Sequence, residues 1–135
     1  MFRLNGQLLA IAEELAQPAG LTAAWWQVLA TVLREPLSVA DIAREVGNTR
    51  QSVQRIADLL VEHDLAGYRP NPAHRRAKLL VPTEQGRAAV RRIRPAHAAL
   101  ADRLVEQMGL ENLQRTLDAL VRLSSVLDEM APITE

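Results

Sequence analysis

Between Thr49 and Arg55 the chain reads Thr-Arg-Gln-Ser-Val-Gln-Arg. Arg50, Gln51, Ser52, Gln54 and Arg55 are side chains that suit base edges in a major groove. A guanidinium donates twice to guanine O6 and N7, a glutamine amide matches adenine N6 and N7, and a serine hydroxyl serves either role. Further on, Arg75 and Arg76 stand together with His74 beside them, on a loop stiffened by Pro70 and Pro72. A narrow minor groove has enhanced negative potential and attracts inserted arginine. Arg69 and Lys78 flank that loop and are placed to touch phosphates. Ser38 and Thr49, at two expected helix starts, complete the candidate DNA-contacting set.

These side chains need a scaffold, and the pattern supplies one. Leu4, Leu8, Ile11, Ala12 and Leu15 recur at helical spacing over residues 2–16, with Pro18 and Gly20 to end that helix. Thr22 can cap the next, which carries Trp25, Trp26, Val28, Leu29, Val32 and Leu33 and stops at Pro36. One tryptophan is expected in the core and the other at an interface or ligand pocket. Ser38 is an N-cap candidate for a short helix to Val46, with Asp41 near its positive end. Gly47-Asn48 is the turn. Thr49 or Asn48 caps a helix to about His63, whose Val53, Ile56, Ala57 and Leu60 face inward. Residues 38–65 thus read as a helix-turn-helix, with Gly67 shortly after its last helix.

Tyr68-Arg69 and residues 77–81 are expected to pair as an antiparallel ribbon around loop 70–76. Thr83-Glu84 starts a long helix to about Met108. Pro95 falls inside it, and internal proline costs ~3 kcal/mol or more, so a kink or local break is expected there. Gly109 separates a last helix over 110–130, with Leu113, Leu117, Leu120, Val121 and Leu127 on one stripe. The fold expected is mainly α with a small β-hairpin: a winged helix-turn-helix over about 22–83, flanked by long helices over about 1–17 and 84–131. All 135 residues are read as one domain.

The formal charge is zero, but its distribution is not even. Residues 44–94 hold 11 basic and 5 acidic side chains, a net of +6, and the remainder carries −6. One part is suited to phosphates and the other is not. All but one of the 16 cations are arginine, the residue for bidentate phosphate or guanine contacts. With no cysteine, disulfides, thiolate metal sites and thiol redox sensing by this chain are excluded. No apolar run reaches membrane-spanning length, and the N-terminus does not read as a secretory signal, so a cytoplasmic setting is expected. His63, His74 and His97 lack ligand spacing, and there is no phosphate loop or nucleophile elbow. Neither a metal, a cofactor nor an enzymatic activity is expected.

The ordered set Ser38-Val39-Ala40-Asp41-Ile42-Ala43, Thr49 to Arg55, Leu65, Arg75-Arg76 and Leu80-Val81-Pro82-Thr83-Glu84-Gln85-Gly86-Arg87 resembles the MarR family of bacterial transcriptional regulators. The resemblance covers nearly the whole chain. It implies a winged-helix homodimer on a pseudo-palindromic operator, in which Thr49 to Arg55 read the major groove and Arg75-Arg76 the minor groove. Many members release DNA on binding a small, often aromatic, molecule, so the resemblance leaves room for such an effector. The family's wing usually carries Asp just before the paired arginines, and here His74 stands there.

Sequence physics also favours two copies. The first helix and the last two carry apolar stripes that a small winged helix cannot bury alone, and pairing them would set two recognition helices about one DNA turn apart. The function expected is a sequence-specific DNA-binding regulator acting as a repressor. The alternative is a winged-helix protein–protein module with no DNA role.

Overall fold

A computed structural model describes residues 1–130. The chain divides into two compact units: Met1–Pro95 is the first, and the second begins at Ala96. In the first, α1 (Phe2–Ala16) leads through a single 3-10 turn to α2 (Ala23–Arg34), β1 (Leu37–Ser38), α3 (Val39–Val46), α4 (Arg50–Glu62), β2 (Ala66–Arg69) and β3 (Leu79–Pro82). Helix α5 (Glu84–Met108) begins in the first unit and ends in the second, which also holds α6 (Leu110–Met130). The last residue of the expected 84–131 segment, Ala131, lies outside the described residues. No helix among those described is long and apolar enough to cross a membrane.

Local chemistry sets the helix starts. The hydroxyls of Thr22, Ser38 and Thr49 accept from the backbone N–H of Trp25, Asp41 and Ser52 at 3.1–3.2 Å. Each satisfies one of the amides a helix start leaves unpaired, worth about 1 kcal/mol. Helix α3 ends at Gly47, whose φ of 69° is left-handed, and Asn48 N–H then reaches back to the Ala43 carbonyl.

Helix α4 ends differently. The left-handed residue there is Asp64, at φ 59°, not the glycine that follows later. Its neighbour Leu65 donates to the Leu60 carbonyl at 2.9 Å, closing the same kind of cap.

One core fills the first unit. Val28, Leu29 and Val32 of α2, Ile42 of α3, Val53, Ala57 and Leu60 of α4, Leu80 of β3 and Ile93 of α5 are all buried. Ile56 is only half-buried and packs at its edge. Each fully buried large aliphatic side chain contributes roughly 1.5–3 kcal/mol by leaving water. Both tryptophans are half-buried against this core, so neither is the core residue expected, while Trp26 also lines a hollow by α1 and α2. Trp25 instead meets the His63 ring, centroids 5.0 Å apart.

The sheet has three strands in the order β1-β3-β2, all antiparallel. The hairpin was expected, but β1 was not. β1 pairs Leu37 with Leu80 and Ser38 with Leu79, while β2 sets Tyr68 opposite Leu80 and Arg69 opposite Leu79. Central β3 therefore ties the entry of α3 to the base of the wing. Ala77 and Lys78 belong to the loop and not to the strand, because Ala77 N–H donates to the His74 carbonyl in a turn.

The helix α5 runs through Pro95 as one continuous helix, so of the kink or local break expected there the break does not occur. Proline withholds one N–H from the carbonyl four residues back, but its φ suits a helix. At its start α5 meets β3 and α4. Thr83 N–H donates to the Leu65 carbonyl at 3.1 Å, and its hydroxyl donates to the Asp64 carbonyl at 2.6 Å. The same hydroxyl accepts from Gly86 N–H. A methyl on Gly86 would collide with the Leu65 carbonyl oxygen. Gly86→Ala should therefore lower the unfolding free energy by about 1–3 kcal/mol. Gly6→Ala, where a methyl meets nothing, should raise it by about 0.5–1 kcal/mol through helix propensity. Chemical denaturation of both variants checks this, and equal effects would refute the close approach.

Candidate nucleic-acid interface

Helix α4 carries Arg50, Gln51, Gln54 and Arg55 exposed along one side, with Ser52 half-buried. Thr49 is exposed, and its oxygen is engaged by the cap while its hydroxyl proton stays available to donate. The wing loop is two linked turns. His74 N–H donates to the Asn71 carbonyl at 3.2 Å, and the His74 carbonyl accepts from Ala77 N–H at 3.3 Å. The Asn71 side chain accepts from Ala73 N–H at 3.0 Å, a self-capping turn. His74 thus joins the turns through its backbone, and Arg75 and Arg76 occupy the exposed tip between His74 and Ala77.

The two parts converge. Arg50, Gln51 and Gln54 of α4, Arg76 and Lys78 of the wing, Tyr68 of β2 and Ser38 line one open hollow of about 620 Å³. Ser38 is the exception among the expected contact residues. It is 6% exposed, and its hydroxyl oxygen caps α3. Arg69 and His74 are exposed outside that hollow.

Among the described residues, four arginines elsewhere in the chain are paired with carboxylates. Arg34, Arg44, Arg91 and Arg115 are held by Glu45, Asp41, Glu84 and Glu111. Among the described residues Arg50, Arg55, Arg69, Arg75 and Arg76 form no ion pair. Guanidinium groups left without protein carboxylates are free for phosphates and base edges. Lys78 lies over the Tyr68 ring, Nζ 6.0 Å from its centroid.

Sequence reasoning missed the contact that links helix to wing. The Tyr68 hydroxyl donates to Asp58 Oδ1 at 2.6 Å, and Gln54 Nε2 donates at 3.0 Å to both that oxygen and the Tyr68 oxygen. The sides of this triangle leave a narrow angle at Nε2. One amide N–H is therefore shared between the two oxygens, since the two N–H bonds diverge too widely to reach one each. Gln54 and Asp58 are four apart on α4, a spacing readable from sequence. Tyr68 comes from the wing and becomes a neighbour only through the register of β2. Burial first, then the hydrogen bond to Asp58 and its charge, push the Tyr68 phenol up from 10.0 to about 12.

His63 sits at the end of α4 with Nδ1 on the Leu59 carbonyl at 2.9 Å. Among the described residues no cluster of three metal-ligating side chains occurs.

A family model described as the MarR family matches residues 19–77. The uncharacterized protein Rv2011c of Mycobacterium tuberculosis is 39% identical over 132 residues, covering 98% of this chain and 92% of the relative. The transcriptional repressor CouR bound to a 23-mer DNA duplex is similar at a TM-score of 0.82 and 27% identity, over 90% of this chain and 87% of that one. CouR is a protein of Rhodococcus jostii RHA1. AbsC, a MarR family transcriptional regulator from Streptomyces coelicolor, shares the fold at a TM-score of 0.83 and 21% identity, over 95% and 89% of the two chains.

The tyrosine link is open to direct measurement, because the chain has one tyrosine. Ultraviolet titration of the folded protein should give phenolate with a midpoint near 12, and Asp58→Asn should bring it down toward the ordinary 10.0. The phenol is raised in the folded state, so its stabilising effect is complete below the unfolded value of 10.0 and is lost as pH climbs toward 12. A wild-type midpoint at the ordinary value would remove the link.

Proposed function

The chain belongs to the MarR family of transcriptional regulators, and from that premise we propose that it is a repressor gripping a pseudo-palindromic operator as a homodimer. The observation that carries this is the hollow where unpaired Arg50 of α4 and Arg76 of the wing face the same space. Helix α4 enters the major groove, where Arg50, Gln51, Ser52, Gln54 and Arg55 meet base edges. Arg75 and Arg76 enter the neighbouring minor groove. Thr49, Arg69, His74 and Lys78 take phosphates, and Ser38 acts through the cap that sets α3. Repression is by occupancy of a promoter, as suits a likeness to a DNA-bound repressor. A regulator of this kind works where the chromosome is, in the bacterial cytoplasm.

The homodimer is supported by apolar surface in both units. Phe2, Leu4, Leu8 and Leu9 of α1 are exposed, and so are Leu117, Leu120, Val121 and Leu127 of α6. No described residue of α6 is buried. Monomeric proteins rarely leave contiguous apolar stripes in water. A second copy of the same helices covers them and fixes two recognition helices one DNA turn apart. A small-molecule effector has a candidate seat in a hollow of about 560 Å³ by α1 and α2, lined in part by Leu8, Leu9, Ala12 and Trp26.

Two measurements test this reading. In fluorescence anisotropy, Arg50→Ala or Arg55→Ala should cost about 1–3 kcal/mol on the operator and relax sequence preference. Replacing Arg75 and Arg76 together should weaken binding to all sequences and flatten the salt dependence by roughly two counterions. Unchanged affinity in both sets would defeat the docking, and salt-insensitive binding would point to a protein partner. Light scattering should give the mass of two chains at micromolar concentration, and the mass of one would refute the dimer.

A further inference from the structure

We propose, resting on the DNA-binding reading above, that Gln54 is a specificity-determining residue whose amide is held in one polarity, oxygen outward, by Asp58 and Tyr68. The argument begins with Asp58. An ionised carboxylate accepts hydrogen bonds and donates none, so the Gln54 atom 3.0 Å from Asp58 Oδ1 must be the nitrogen. Tyr68 gives its one proton to the same Oδ1 at 2.6 Å, so its oxygen can only accept from Gln54, again the nitrogen. Both neighbours exclude the flipped amide. A free glutamine on a helix surface turns its amide over readily, offering donor or acceptor to suit the base. Gln54 cannot do so without setting its oxygen against the Asp58 oxygen.

The consequence is a filter on bases. The oxygen corner of the amide is turned away from Asp58 and Tyr68, on a side chain that is exposed and borders the hollow shared with Arg50 and Arg76. In the major groove adenine and cytosine present an exocyclic amine, whereas guanine and thymine present a carbonyl oxygen. An outward acceptor favours the first pair and repels the second. Asp58 and Tyr68 are positioning residues: neither needs to touch DNA, and each acts through Gln54.

Selection of bound sequences from a randomised duplex library tests the filter. Gln54→Ala, an exposed truncation, identifies the base position that Gln54 reads, since preference there alone should vanish. At that position the wild type should favour adenine or cytosine over guanine or thymine by about tenfold. Asp58→Asn keeps the shape but lets either end of the amide bond, and the preference should fall to within about twofold. The same variant removes a negative charge beside the DNA, so affinity should rise for every sequence. The preference ratio at one position is therefore the readout that a merely structural or electrostatic role would not move. Asp58→Ala should behave like Asp58→Asn and guards against a local repacking effect. A wild-type preference for guanine or thymine, an unchanged ratio in Asp58→Asn, or no position lost in Gln54→Ala overturns the inference while DNA binding stands. A wild type that retains no duplex at all overturns the DNA-binding reading and this inference together.

Discussion

The geometry of the interface hangs on the backbone carbonyls of Asp64 and Leu65. Here the recognition helix has just ended, the wing is about to start, and the long helix α5 arrives from the far side of the hairpin. Thr83 takes both carbonyls, one with its N–H and one with its hydroxyl. Gly86 lets the helix backbone lie against the Leu65 oxygen with no side chain between. Each such hydrogen bond contributes about 0.5–1.5 kcal/mol net, and the two act at one point. Because β3 leads directly into Thr83, the end of the hairpin is pinned to the end of α4. Helix and wing therefore keep a fixed spacing, which is what two adjacent grooves of a duplex demand.

Four arginines outside the hollow, Arg34, Arg44, Arg91 and Arg115, are matched by carboxylates, and such exposed pairs contribute little to stability. The arginines of α4 and of the wing tip are left unmatched, which costs the free protein mutual repulsion and is relieved by a polyanion. Asp58 is the one acid lining the hollow. An acid there opposes phosphate binding, so its presence asks for a compensating role. Its bonds to Tyr68 and Gln54 supply one, joining α4 to β2 and orienting an amide. On the proposed reading, the interface gives up some general affinity for order in a single side chain.

How much of this could be read from the chain follows from how local each signal is. The caps at Thr22, Ser38, Thr49 and Thr83 depend on a residue three positions on, and all were legible. The stripe Val53, Ala57 and Leu60 was legible for the same reason, as was the arginine tip, since Pro70 and Pro72 just before it mark a loop. Strand β1 was not, because two residues make no alternating pattern and Leu37-Ser38 become a strand only when Leu79 and Leu80 lie beside them. Ser38 looked like a surface donor for DNA, and the same pairing buries it. Asp64 at positive φ was hidden because a later glycine drew attention, although aspartate tolerates that region better than most residues. Tyr68 meets Asp58 only through strand register and the turn after α4, information that no single window of sequence contains.

His74 sharpens the same point. The resemblance sets an acid before the paired arginines, where a side chain can hold one of them. Here the wing is ordered by other means: Asn71 caps its own turn, and His74 links two turns through its backbone N–H and carbonyl. Backbone bonds of this kind are indifferent to the side chain at position 74. The tip arginines gain a defined base without a carboxylate among the described residues paired to either of them. An acid would draw one arginine into a fixed place at the cost of part of its attraction for phosphate. On the docking proposed for this chain, the wing with histidine holds its backbone shape while its guanidinium groups stay free to find the groove.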